Sequence, residues 1–427
     1  MRPVPQPRSP PLPRSTRSLL LGLLVVSIGI NYIDRGNLSV AARDISLELR
    51  LSPQDQGLLF SAFFCSYSLC LLPAGWFVER YRASRVYAIG YLGWSAATAF
   101  TAATHGFASL FALRLALGAG ESVAYPSYSK IITARFSESE RGMANAWIDA
   151  GSKIGPALGV LAGGLLLEAW GWRGMFLAVG LASMLWLAPW ALLTRNLPRA
   201  DEGHGASESA AAPSFLRILR ERAAWATFLG LFCGNYAWYF LLTWLPLYLL
   251  NERHYTVRMM AFYGSLPFWG VAAASLTGGW LSDRLIRRGA GPSPVRRRFA
   301  GYGLLMCTLL VPAFLVRDNL ASMALLIAAC LSFGLYSSNV WAITQTLAGK
   351  SAAAKWTGLQ NAFGNLSGIA APFLTGQIVG RTGSYFWAFA TVAAIAVLGG
   401  VCFLRMVGTV RQVEWVKISD PTAASLW

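Results

Sequence analysis

The chain has 427 residues, 55% hydrophobic and 13% charged, with a mean hydropathy of +0.47 and a net charge of +17. Soluble globular domains carry about 25% charged residues, so neither a soluble nor a disordered chain fits. A nucleic-acid partner is excluded despite the basic balance, because the sequence shows long apolar runs where basic, polar surfaces are needed; such runs read as membrane spans and make the lipid bilayer a partner.

Residues 1–17, rich in Pro and Arg, read as a disordered cytoplasmic tail. Twelve spans follow. The first six cover 19–42, 54–77, 86–104, 109–136, 143–167 and 175–193. Span one carries Asp34 and Arg35, span four carries Arg114 and Glu121, and span five carries Asp149 and Lys153. A charge at mid-span costs about 2.5–3.5 kcal/mol, so each is a candidate functional group. Arg35 and Arg114 both fall in the outer half of the membrane and can converge on one anion, since guanidinium forks suit carboxylates. Glu121 lies two turns from Arg114 on the same helix face, and a carboxylate set between apolar surroundings and a guanidinium can take up and release a proton. A buried ion pair that only holds spans one and four together is the competing reading. For Asp149 and Lys153, four apart, three readings stay open: mutual neutralisation, Lys153 as a third anion contact, or Asp149 in proton coupling.

Residues 196–222 form a cytoplasmic linker between an N-terminal six-helix bundle (18–195) and a C-terminal one (223–406), with 407–427 as a cytoplasmic tail. The second six spans cover 225–250, 259–281, 299–316, 321–347, 357–379 and 386–406, with no charge in their interiors. Polar side chains there are candidates for neutral substrate contacts: Asn235, Tyr236 and Tyr239 on span seven, Ser337, Ser338 and Asn339 on span ten, and Gln360, Asn361 and Asn365 on span eleven. Trp341 on span ten is a further substrate-lining candidate.

Loop charge sets the orientation. With the N-terminus inside, the inside segments hold 26 Lys and Arg against 7 outside, which places both termini in the cytoplasm of a cell (inner) membrane protein. The halves also repeat each other. AGWFVERYRASR after span two matches GGWLSDRLIRR after span eight, aligning Gly75, Glu79 and Arg80 with Gly279, Asp283 and Arg284. An offset of 216 further aligns Gly118 with Gly334, Gly142 with Gly358, and Pro156 with Pro372. Six-span repeats are the mark of secondary transporters with a midplane site between the repeats. The repeated acid and base are gating candidates, able to make charged contacts between helix ends that break and reform. No nucleophile–base pair is present, and His105, His204 and His254 lie in loops, so an enzyme is not expected.

The loop pattern resembles the G-x-x-x-D-R-x-G signature of the major facilitator superfamily, from which it departs at Glu79 and Arg82 and after Arg284. The resemblance runs over residues 19–406 and implies an all-α membrane protein with 12 transmembrane helices in two pseudo-symmetric six-helix bundles. Within it, NYIDRGNLS, SAFFCSYSLCLLPAGW, RLALGAGESVAYPSYSK, NYAWYFLLTWLPLYL and FGNLSGIAAPFLTG are similar to the anion:cation symporter family. That likeness implies a proton symporter importing a small organic anion such as a sugar acid. Arg35 would bind the carboxylate, with Tyr32 and Tyr67 lining the pocket. Asp34 and Glu121 would be the protonation sites, Arg114 would bind substrate or hold Glu121, and Asn365 would hydrogen-bond from the second half. Sugar-acid members place a neutral Gln near Ser152, so Ser152 and Lys153 are expected to affect substrate choice. The proton is the one coupling ion expected, with no metal or cofactor and a monomeric chain. An anion sensor and an organic-anion exchanger or exporter are the alternatives.

Overall fold

The computed structural model describes residues 13–195 and 213–415, and these are helical with no strand among them. Twelve traverses can be followed: α1 (Arg14–Leu49), α2 (Pro53–Arg80), α3 (Ala83–Thr101), α4 (Phe107–Arg135), α5 (138–170), α6 (172–195), α7 (Arg222–Asn251), α8 (Val257–Arg287), α9 (Pro292–Leu315), α10 (319–348), α11 (350–382) and α12 (Phe386–Met406). Nine of the helical stretches are long and apolar enough to cross a membrane by length and composition, one of them spanning both α5 and α6. The α5–α6 and α10–α11 pairs are each continuous helical runs bent back at one residue. Gly171 (φ 66°) and Gly349 (φ 62°) take the left-handed conformation that side chains resist, and so allow each reversal.

Helix starts follow local chemistry. Ser52 and Asp55 form a reciprocal capping box on α2, Ser137 and Glu140 form another on α5, and the Asp318 carboxylate accepts from Ala321 N at 2.7 Å on α10. Helix α1 begins at Arg14, inside the segment 1–17 expected as a tail, and Arg17 fixes that start by binding both carboxylate oxygens of Glu140 at 2.8 and 2.6 Å. Within the expected linker, Phe215–Arg220 is helical. In the expected tail after 407, Val413 N donates to Leu347 O at 2.9 Å and the Trp415 indole donates to Ala348 O at 3.0 Å. The rest of those three segments, 1–12, 196–212 and 416–427, lies outside the described residues.

The first six helices pack on one another, as do the last six, and the duplication is visible in detail. Gly118 of α4 lies so close to α2 that a Cβ would collide with Phe63 O, and Gly334 of α10 is pressed on α8, where a Cβ would meet Val271 O at 2.8 Å. The main contacts between the two groups are made by α1 with α7, α2 with α11, and α5 with α8. Their tightest contacts lie toward the face opposite the chain termini. There Ser39 Oγ donates to Leu242 O at 2.8 Å and Ser61 Oγ to Ile369 O at 2.8 Å. A Cβ on Gly57 would meet Pro372 O at 2.8 Å, and one on Gly164 would meet the Ala261 methyl at 2.5 Å. At the termini-bearing face Gly142 and Gly358 look into open space. The two groups are therefore closed at the far face and parted at the terminal face.

Candidate functional site

Arg35 stands just past the middle of α1, and Glu121 at the middle of α4. The Arg35 Nε donates to Glu121 Oε2 at 2.8 Å, with both side chains almost wholly buried. The guanidinium sits among three rings, 4.7 Å from the Tyr32 centroid, 4.8 Å from Tyr67 and 5.0 Å from Phe63. Such faces stabilise a cation and fix its plane. Arg114, on the far-face side of Glu121, shares Phe63 at 5.2 Å. Arg35 and Arg114 thus both lie against the Phe63 ring, and Glu121 is bonded to Arg35 directly.

Several polar atoms here have no partner although buried: Arg35 Nη2, Arg114 Nε, Glu121 Oε1 and Asp34 Oδ2. Buried donors and acceptors left unpaired cost about 1–3 kcal/mol each, so a fixed ion pair made only for packing is a poor account of them. Asp34 is buried beside Arg35 in sequence but faces a different region, where Asn37 Nδ2 approaches its Oδ1 at 3.4 Å.

The second half reaches the site through α7 and α11. Tyr239 packs its ring 4.4 Å from Phe64 of α2 and donates its hydroxyl to Asn365 Oδ1 at 3.0 Å. Asn365 Nδ2 in turn faces Asn361 Oδ1 at 3.4 Å, and Asn361 is exposed on the parted side. Tyr239 thus ties Asn365 to the aromatic rings of α2, where Phe64 adjoins Phe63 and Phe63 adjoins Arg35. Tyr236 is buried on the same helix with its ring toward Phe232, and Asn235 beside it is half-buried. Gln360 is fully engaged elsewhere. Thr344 Oγ1 donates to its Oε1 at 2.7 Å and its Nε2 donates to Thr227 O at 3.3 Å, so it ties α7, α10 and α11 together. Ser337 bonds Ser275 of α8 at 3.2 Å, and Trp341 is half-buried one turn further on.

Lys153 and Asp149 lie 3.8 Å apart as an ion pair along α5. Asp149 is not a buried charge, however: its side chain is 55% exposed, because the parting of the helices at the terminal face opens this part of α5. Lys153 lies 5.4 Å from the Trp238 ring and lines a cavity of about 250 Å³ with Asp149, Ser275 and Ser338. The neighbouring Ser152 hydroxyl donates back to Asp149 O at 2.7 Å.

The gating candidates sit at the terminal face. Glu79 and Arg80 are exposed at the end of α2, one turn beyond Gly75. Lys130 of α4 donates to the backbone carbonyls of Val78 and Glu79 at 2.6 and 3.1 Å, closing the end of that helix. Asp283 pairs with Arg296 at 3.7 Å and Arg284 lies 4.9 Å from the Trp280 ring, while Gly279 faces Ser338 of α10. Among the described residues neither acidic group is ion-paired to the other half, as the open terminal face requires. The far-face contacts of Ser39, Ser61, Gly57 and Gly164 escape a reading of the sequence, because small residues in apolar helices carry no distinctive signal there.

The Major Facilitator Superfamily profile matches residues 24–372, and the chain belongs to that family. It is therefore a multi-pass membrane protein of a transporter fold rather than an enzyme. It is 28% identical over 422 residues to a D-galactonate transporter of Escherichia coli, covering 94% of this chain and 98% of that one. It is 29% identical to a probable galactarate/D-glucarate transporter of Escherichia coli, covering 94% and 97% respectively. Among solved structures, the fold is that of a bacterial homologue of the human lysosomal transporter Spinster in an inward-facing and occupied conformation, with a TM-score of 0.74 at 20% identity over 93% of this chain and 95% of that one.

Proposed function

We propose that this protein is a proton-coupled symporter that imports a small organic anion of the sugar-acid class across the cell (inner) membrane by alternating access. The observation that carries the reading is the buried Arg35–Glu121 pair, with the Tyr239–Asn365 hydrogen bond of the second half packed on Phe64 of the neighbouring α2. Ionised Glu121 satisfies the Arg35 guanidinium. Protonation of Glu121 removes that partner, and a substrate carboxylate then takes the guanidinium with charge-assisted bonds. Anion and proton therefore enter together and leave together. Arg114 supplies a second positive charge near the same carboxylates, and Asp34 a second protonation site. The hydroxyls of Tyr32, Tyr67 and Tyr239 and the Asn365 amide suit a polyol acid, and the names of the sugar-acid relatives support that class. With both termini in the cytoplasm, as the loop charge indicates, the parted terminal face corresponds to a state open to the cytoplasm. The chain acts as a monomer with the proton as its coupling ion.

Purified protein in proteoliposomes under an imposed inward proton gradient should accumulate at least one member of a panel of labelled aldonates, aldarates and short dicarboxylates. Arg35→Lys should abolish that accumulation, because a lysine offers no planar fork. Failure of every acid in the panel to accumulate, or full activity of Arg35→Lys, contradicts the reading.

A further inference from the structure

Behind the Arg35 cluster, inside the first six helices, runs a second set of buried polar groups that the substrate site does not use. Ser27, Asn31 and Asp34 share one face of α1 at spacings of four and three. From Ser27 the set continues into the other helices: Ser27 Oγ lies 3.1 Å from the Tyr128 hydroxyl of α4, and that hydroxyl lies 2.8 Å from the Tyr87 hydroxyl of α3. All five side chains are at most 2% exposed. Between Asp34 and Ser27 on α1, both side-chain atoms of Asn31 and Asp34 Oδ2 have no hydrogen-bond partner, and the Tyr91 hydroxyl of α3 and Ser127 Oγ of α4 are likewise buried without one. Glu121 neighbours both Asp34 and Asn31. Trp94, Trp186 and Trp190 wall the tyrosines off, with Trp186 stacked 4.3 Å from Tyr91 and Trp190 5.4 Å from Tyr87. Phenylalanine would fill the places of Tyr87 and Tyr128 without the cost of burying hydroxyls.

We propose that this line, from Glu121 and Asp34 through Asn31, Ser27 and Tyr128 to Tyr87, is a proton-release track to the terminal face, separate from the substrate cavity. It rests on the proton-coupling reading above. The track ends at Tyr87, one turn from Ala83, the first residue of α3 at that face. The unsatisfied groups around Asn31 are placed to hold bridging water across the turn between Asp34 and Ser27. Each hydroxyl accepts a proton on its oxygen and passes on the one it carried, so one proton moves from carboxyl to the Tyr87 end of the line with no side chain changing composition. Release from there to water requires the first turn of α3 to open, since Tyr87 and Ala83 are fully buried. Leakage is limited by Arg35. While substrate holds the guanidinium, Glu121 keeps its proton; once substrate leaves, Arg35 recaptures the carboxylate and the proton is expelled into the track. The present geometry, paired at Arg35–Glu121 and parted at the terminal face, is the state after that step.

The test needs no substrate. Full-length protein in lipid nanodiscs is given a rapid pH jump, and the carbonyl stretch of protonated carboxyl groups is followed by time-resolved infrared spectroscopy, the Asp34 band being the one lost in Asp34→Asn. Tyr128→Phe, which keeps the ring contacts, and Ser27→Ala should each slow relaxation of that band by about tenfold while leaving its titration midpoint in place. Tyr87→Phe carries the same prediction should either variant fail to fold. Relaxation at the wild-type rate in the folded variants overturns the track, even if their thermal stability falls, since that is the mark of a packing role. If neither Asp34→Asn nor Glu121→Gln removes a titrating carboxyl band, the proton-coupling reading fails as well, an outcome distinct from failure of the track alone.

Discussion

Tyr239 is the side chain through which the second half reaches the Arg35 cluster, ring against Phe64 and hydroxyl on Asn365. Tyr239→Phe keeps the packing and removes the bond, freeing Asn365 from its fixed orientation. The expected loss is about 1 kcal/mol, a fivefold to tenfold weakening of substrate affinity with little change in maximal rate, measured by isothermal titration and by initial uptake rates. Asn365→Ala should weaken affinity by at least as much. The charged members of the site were legible from the sequence, because a charge inside an apolar span stands out against its surroundings. The neutral ones were not equally so. Gln360 and Asn365 look alike in the sequence, five residues apart on one helix, yet Gln360 is used up in tying α7 to α10 while Asn365 holds the Tyr239 hydroxyl beside Phe64 of the first half. An amide in a membrane helix serves either purpose, and only its neighbours decide which.

At the scale of the helices, the far-face seal is made from small residues and hydroxyls rather than from charges. Gly164 against Ala261 and Gly57 against Pro372 leave no room for a side chain. Gly164→Leu should therefore hold α5 away from α8 and shift the population toward the state open at the far face. Cysteines placed along the far-face ends of those helices should then become reactive to a membrane-impermeant thiol reagent, whereas in the parent they are shielded. Equal labelling in both would refute this. Arg253 shows a different kind of element contact. Its guanidinium donates to the Tyr248 hydroxyl at 2.6 Å and to the carbonyls of Ala313, Phe314 and Val316 at 2.6 to 2.9 Å, closing the end of α9. Arg253→Ala should cost about 2–3 kcal/mol of stability, read as a lower melting temperature in detergent with transport chemistry intact. In the sequence Arg253 is one more loop charge. Its acceptors are backbone carbonyls some sixty residues away, which no side-chain pattern announces.

For the molecule as a whole, the duplication was written in the sequence and the conformation was not. The repeated Gly118 and Gly334 occupy equivalent close contacts, each pressing a fourth helix of its half on the second. Hydropathy and loop charge record such features because they hold in every state of the transport cycle. Which face is closed depends on small differences in packing free energy between two arrangements of the same helices, so it leaves no compositional trace. The exposure of Asp149, read from sequence as a buried charge, follows from the same cause. Proton coupling through Glu121, as proposed, requires that the carboxylate exchange its hold on Arg35 for a proton when the anion binds. Its most direct test is uptake of the acid that the wild type transports, into proteoliposomes loaded with a pH-sensitive dye, by wild type and Glu121→Gln. Wild type should acidify the lumen as it accumulates the anion. Glu121→Gln should exchange labelled for unlabelled anion yet neither acidify the lumen nor accumulate substrate. Accumulation and acidification at wild-type levels in Glu121→Gln would contradict the account.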